Sequence, residues 1–297
     1  MIRLISEICD NRIKMAIKVI ILLPFVLTAC EKAVLPEKQQ GNVTLTFSVT
    51  QSDRPTRGTV TIGDYFSKLN VMLFDADGAK VFDKVRTQLA TDDDFGTLSA
   101  ALQAGTYTVV AVGHSSAVSA TIKSPQMVQF TAKDGQKLTD TFCYCGTVTV
   151  GDTPEQFQLK MHRVCAMVEL VATDADVPDG FARVVIGYTG GSANFDPTTF
   201  EGTTKSTQSE ARLKADRYQV FTFPYLSDTG VLKMTLSMQT ADGMVLAQKV
   251  IDEVPVTRNR ITRYTGHLFD DTPGEITQTG FGFTVDADWD GVDEHTF

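Results

Sequence analysis

Apolar and polar residues alternate over much of this chain. Val43, Leu45, Phe47 and Val49 are separated by Thr44, Thr46 and Ser48, the period of two that sends successive side chains to opposite faces of a strand. Asp53-Arg54-Pro55-Thr56-Arg57-Gly58 breaks the run. Leu69–Phe74 is the next predicted strand, turning at Asp75-Ala76-Asp77-Gly78 into Lys80-Val81-Phe82; Asp-Gly between apolar runs is a strong hairpin signal. A tight turn at Ala104-Gly105 leads into Thr106–Val112, and Met127–Phe130, Gly146–Val150 and Phe157–Leu159 add shorter strands. A second series comprises Cys165–Val171, Ala182–Tyr188, Tyr218–Phe223, Val231–Met238, Met244–Val250 (after a turn at Ala241-Asp242-Gly243), Arg258–Phe269 and Phe281–Trp289. Thr189–Ser209 is polar and rich in Gly, Thr and Ser, and reads as a loop. Helical period surfaces only weakly, near Ser115–Ala120. Many short strands with regular turn signals predict an all-β chain of two tandem β-sandwich domains, at residues 42–160 and 161–297.

The first residues follow a different logic. Arg12, Lys14 and Lys18 precede the apolar run Val19–Val26, which ends on Leu27-Thr28-Ala29-Cys30. The run is too short for a permanent membrane helix, which needs roughly 20 apolar residues, and fits the apolar region of a signal peptide. Its last four residues resemble the lipobox of bacterial lipoproteins. That resemblance implies removal of residues 1–29 and a diacylglycerol thioether on Cys30, a reaction that requires a thiol nucleophile. Residues 30–41 then form a lipidated tether. A plain secretory signal is the competing reading. Met15 offers a second translation start, with a more compact signal. Glu31, in place of Asp, leaves the outer membrane open as destination.

Removing the signal sharpens the charge balance. It takes away four basic residues (Arg3, Arg12, Lys14, Lys18) and two acidic ones (Glu7, Asp10), so the net charge moves from −9 to −11. With no basic stretch, nucleic-acid binding is not expected, because such affinity comes largely from neutralised phosphates. Cys143, Cys145 and Cys165 remain. Export permits disulfides. Cys143 and Cys145 lie two apart on one strand face, where neighbours seldom bridge, so either pairs with Cys165 or all three stay buried thiols. A metal site built on them and His162 would want a fourth ligand, and none is expected.

Signals for catalysis are missing. His114, His162, His267 and His295 are scattered, and no HExxH, GxSxG or Gly-rich phosphate loop occurs. Gly113-His114-Ser115-Ser116 is a strand end followed by a polar loop. Asp286-Ala287-Asp288-Trp289-Asp290-Gly291 matches the first half of a calcium loop, but the closing glutamate would fall on Phe297. No enzyme activity and no cofactor are expected.

The strands have a familiar order: Thr56-Arg57-Gly58; Val71–Asp75 with Asp77-Gly78; Leu102 to Tyr107; Met161-His162-Arg163-Val164-Cys165-Ala166-Met167-Val168-Glu169-Leu170; Asn259–Gly266; and a last strand through Trp289. With the lipobox, this resembles the fimbrillin-associated anchor lipoproteins of Bacteroidales fimbriae. The resemblance spans nearly all of the chain after Cys30, through loose motifs whose order carries the specificity. It implies two transthyretin-like β-sandwiches and a lipidated subunit at the outer-membrane base of a fimbrium. Such a subunit receives the first stalk subunit by strand addition, in which backbone hydrogen bonds give affinity and alternate side-chain pockets give register. The fibre in turn would reach a host surface receptor. Polymerising fimbrillins are cut after an arginine near the first strand, and Arg54 and Arg57 sit in such a place. Cleavage there would make this a stalk or tip subunit and remove its lipid. A third reading is a surface glycan-binding lipoprotein using Phe195 and Phe200, with Trp289 facing the core.

Overall fold

The computed structural model describes residues 40–49, 61–118, 120–131, 138–269 and 289–296. Among them the fold is all β-strand apart from one 3-10 turn at Ile62–Asp64. The first nine strands are β1 (Gln40–Val49), β2 (Lys68–Phe74), β3 (Arg86–Leu89), β4 (Thr97–Gln103), β5 (Gly105–His114), β6 (Thr121–Ser124), β7 (Met127–Gln129), β8 (Thr141–Val150) and β9 (Glu155–Arg163). Seven of them run in the order β3-β2-β5-β8-β9-β1-β4. The only register pairs between β8 and β9 are Phe142↔Arg163 and Cys143↔His162, so the sheet folds over there, and β4-β1-β9 packs on β3-β2-β5-β8. Val43, Leu45, Phe47, Leu69, Val71, Leu73, Val109 and Ala111 fill the space between.

The second half comprises β10 (Ala166–Ala172), β11 (Arg183–Ser192), β12 (Asn194–Phe195), β13 (Lys205–Leu213), β14 (Arg217–Thr222), β15 (Thr229–Gln239), β16 (Val245–Thr257), β17 (Ile261–Gly266) and β18 (Val292–Thr296). Sheets β14-β10-β17-β18 and β13-β11-β15-β16 enclose Val168, Leu170, Val184, Ile186, Leu232, Met234 and Leu236.

A third core joins the halves. Met72, Phe74, Val110 and Val112 point away from the first core and meet Phe195, Phe223, Ile261 and Trp289. The small sheet β12-β7-β6 covers part of this core. β2 and β5 are thus buried on both faces, which is why they read as unbroken apolar runs rather than alternating ones.

Arg163, at the end of β9, ties this junction together. Its guanidinium makes two parallel bonds to Asp140, Nε to Oδ1 at 2.8 Å and Nη2 to Oδ2 at 2.9 Å. Nη1 donates to Asn259 Oδ1 at 3.1 Å. The same plane lies 4.0 Å from the Trp289 ring centroid and 4.7 Å from that of Phe142. A planar fork that pairs and stacks at once is a property of arginine that lysine lacks.

Several expectations need correction. The turn after β2 forms, with Gly78 at φ 78° and Asp75 Oδ1 accepting from the N–H groups of Asp77 and Ala79. The chain returns through a single bridge, Phe74↔Lys80, because Phe82 and Val85 turn in to pack on the core; the strand that pairs with β2 is β3. Thr189–Ser209 is not a loop: β11 continues to Ser192, β12 follows, and β13 begins at Lys205. Ser115–Ala120 holds no helix among its described residues. Phe281–Val285 lies outside the described residues, whereas Trp289 is buried as expected.

Replacing Arg163 with Ala should leave the Asp140 carboxylate uncompensated and cost about 3 kcal/mol. Arg163→Lys should recover only part of that. Urea unfolding checks it, and a loss below about 1 kcal/mol would mean that the junction does not depend on this residue.

Candidate functional site: the first strand and the sheet edges

β1 is an interior strand. It pairs in parallel with β9 over seven positions, Val43↔Glu155 to Val49↔Met161. It pairs antiparallel with β4 over seven more, Gln40↔Gln103 to Thr46↔Thr97. Alternation sends Val43, Leu45 and Phe47 into the core at 1%, 0% and 4% exposure, while Thr44, Thr46 and Ser48 face outward. Burying three such side chains contributes roughly 5–8 kcal/mol, comparable to the whole stability of a typical domain. The fold therefore depends on β1. A chain cut between β1 and β2 would hold it by non-covalent contacts alone, and its loss would open a slot between β9 and β4.

The rims are largely closed by side chains. On β4, Thr97 O accepts from Gln88 Nε2 at 2.7 Å and Gln103 O accepts from the Tyr107 hydroxyl at 2.9 Å. On β14, Gln219 O accepts from Arg212 Nη2 at 2.9 Å and Phe221 O from the Tyr188 hydroxyl at 3.0 Å. β13 points Gln208 and Glu210 inward, and Glu210 pairs with Arg212. β16 carries Pro255, a register shift opposite Leu232–Met234 and Glu253 at φ 57°. Inward charges, proline and bulges are the usual defences against stray strand pairing. The middle of β4, Leu98–Leu102, has none of them. There a cleft of about 460 Å³ is lined by Val43, Thr44, Ser99, Ala100 and Ala101.

Cys30, Arg54 and Arg57 lie outside the described residues, as do Asp286 and Asp288. The three later cysteines are free thiols. Cys143 and Cys145 share the face that packs on the third core. Burial raises the thiol pKa of Cys143 and Cys165 well above the ordinary value. Cys145, half-buried, is pushed up to about 11 by burial and then by the nearby Asp196 carboxylate. Among the described residues no three His, Cys, Asp or Glu side chains are grouped to hold a metal ion.

His114 is enclosed at 0% exposure. Its Nδ1 accepts from the Ser116 N–H at 3.1 Å, and Nε2 donates to Asn70 Oδ1 at 2.7 Å. Asn70 is oriented by its own bond to Thr87 Oγ1. This is a neutral imidazole in a structural network. Burial, with Lys68 adding to it, lowers its pKa to about 4. Phe195, one of the two aromatics for stacking a sugar, is fully buried at 0% exposure against Phe223, ring centroids 4.7 Å apart, which removes half of that platform. Phe200 is half-buried, with Arg258 over its ring at 5.5 Å.

These features define an exported-type β-sandwich protein with an internal first strand. A family model described as a family of unknown function (DUF6562) matches residues 36–296, and the chain belongs to that family. Among solved structures it is similar to a candidate adhesin from Bacteroides ovatus ATCC 8483, with 14% identity, TM-score 0.49, and 76% of this chain and 87% of that one covered. It is also similar to the fimbrial anchor protein Mfa2 from Porphyromonas gingivalis, with 15% identity, TM-score 0.41, and coverage of 71% and 82%. A third is a fimbrial assembly protein from Parabacteroides distasonis ATCC 8503, with 13% identity, TM-score 0.43, and coverage of 77% and 91%. No curated protein sequence matches the chain.

Two outcomes follow. Because the folded imidazole has a depressed pKa, His114 favours folding fully above about pH 6.5, and that contribution fades as pH falls towards 4. The total is about 3 kcal/mol. Unfolding free energies of His114→Gln measured from pH 7.5 to 4 should lack this slope relative to the parent. Separately, a thiol reagent at pH 8 should leave Cys143 and Cys165 untouched and modify Cys145 slowly in the folded protein, with all three reacting in urea.

Proposed function

We propose that the protein is a non-catalytic, lipid-anchored subunit at the base of a surface fibre of the fimbrial type, held to the outer membrane through Cys30. The one observation that carries this reading is the interior position of β1. An anchor must transmit load from its lipid to its fold, and β1 is the first strand after the tether. Two seven-pair ladders hold it on either side. A pull along β1 shears both ladders at once instead of peeling them bond by bond. The sequence resemblance to fimbrial anchor lipoproteins supplies the partners, which are stalk subunits of the fibre. The uncharged middle of β4 beside the cleft is the stretch of rim best suited to strand addition, since no charge, proline or bulge blocks it.

Cleavage at Arg54 or Arg57 would convert the same geometry into a polymerising subunit, because the vacated slot between β9 and β4 would accept a strand from another chain. Mass spectrometry of the N-terminus from isolated membranes separates the two. The expected result is a lipid-modified Cys30 on an uncut chain, incorporation of labelled palmitate, and release of the Cys30→Ala protein from membranes. An N-terminus at Pro55 or Gly58 in assembled fibres would refute the anchor.

A further inference from the structure

The chain runs through the molecule from one pole to the other. β1 enters at Gln40 and runs parallel to β9, which ends at the Arg163 junction. Only Val164 and Cys165 separate β9 from β10. β10 then leads away from the junction to Ala172, beside Gly266 and Arg217. Backbone bonds from Ala172 to Asp216, Lys214 to Ala182 and Ala182 to Gln239 knit that far pole together. It is the end opposite the one where the tether enters.

At the far pole the outer face of β13-β11-β15-β16 carries little charge. The row Leu213–Arg183–Gln239–Val245 crosses all four strands. Its one charged side chain, Arg183, bonds Gln239 Oε1 at 3.2 Å. The next outward-facing rows hold Val185, Ser237, Thr235 and Val250. Leu213 is 82% exposed, Met244 60%, Val245 54% and Val250 48%, while the described N-terminal half exposes only Leu89 among its large apolar side chains. Around this face stand the exposed carboxylates Asp176, Asp179 and Asp216, and no cation lies within ion-pair distance of any of them. An uncharged apolar centre with a polar rim is the anatomy of a protein interface, and the rim's acidity selects a basic counterpart.

We infer that this far-pole face, centred on Leu213, Met244 and Val245, docks the next subunit of the fibre through an apolar patch flanked by basic side chains. This rests on the anchor reading and adds a second contact to the β4 rim. It also explains why exposed apolar residues concentrate at the end remote from the tether.

The test places p-benzoylphenylalanine at Leu213 or Met244 of the full-length protein in fibre-bearing cells, with Leu89 and Ser99 as comparison positions, followed by illumination. The expected result is an adduct from Leu213 and Met244 with a protein also recovered from sheared fibres, and none from Leu89. Changing Asp176, Asp179 and Asp216 together to Lys should lower that adduct roughly tenfold while thermal unfolding is unchanged. Adducts with a fibre protein from Ser99 or Leu89 alone would overturn the inference and spare the anchor reading. Adducts from Leu213 with a second copy of this chain, or none from Leu213 and Met244, would overturn it as well. Fibres unchanged in length and retention after gene deletion would show that the anchor reading itself had failed.

Discussion

Arg163 is the constraint on which the rest of the structure depends. It ends β9, and within two residues the chain begins β10. The two sandwiches therefore meet at a point where backbone cannot adjust much. A charged side chain at 5% exposure survives there because every part of it is used. Asp140 takes two donors, Asn259 takes a third, and Trp289 and Phe142 cover the faces. These partners come from the segment before β8, the β16–β17 turn and the approach to β18. One guanidinium thus fixes the relation of four segments. Asn259 reaches it from a left-handed backbone, φ 58°, which asparagine tolerates better than most residues.

The third core explains why that junction is stiff. Ordinary sandwiches bury one face of each sheet and wet the other. Here β2 and β5 present Met72, Phe74, Val110 and Val112 to the second half while their alternate residues fill the first core. The interface between halves is consequently as apolar as a domain interior. Each half loses buried area if the other is displaced, and rotation about Val164-Cys165, both fully buried, is blocked by packing.

Much of the fold was legible from local pattern, and its failures have one cause. β1, β10, β11, β14 and β15 announced themselves by apolar alternation or runs. β13 did not, because its inward residues are Gln208 and Glu210 and its outward ones are Thr207, Ser209 and Ala211, so the polar edge of a sandwich reads as a loop. Phe195 looked like an exposed ring in a polar segment; its burial depends on Phe223, Phe130 and Val128 from distant strands. Arg163 could not be singled out, since Asp140 and Asn259 are 23 and 96 residues away. Sequence periodicity reports which face a residue takes, not what another strand brings to that face. The candidate site followed the same division. Cys30, Arg54 and Arg57 are readable as local motifs, whereas the interior position of β1 depends on β4 and β9 and could only come from the fold.

That interior position constrains how force could pass through the molecule. A tension applied at Gln40 loads β1 along its axis, and the ladders to β9 and β4 resist in shear. From β9 the path to the far pole is covalent, through Val164 and Cys165 into β10, and then across a parallel ladder to β17. Nowhere along this route does the load have to cross a solvent-exposed loop. The weakest element is the Arg163 junction, where only two register pairs join β8 to β9, and that is where the charge-assisted, stacked arginine sits. A bidentate pair shielded by two aromatic rings keeps its strength because water is excluded from it. The same residue that sets the geometry of the halves therefore reinforces the place where a pulled chain would otherwise part.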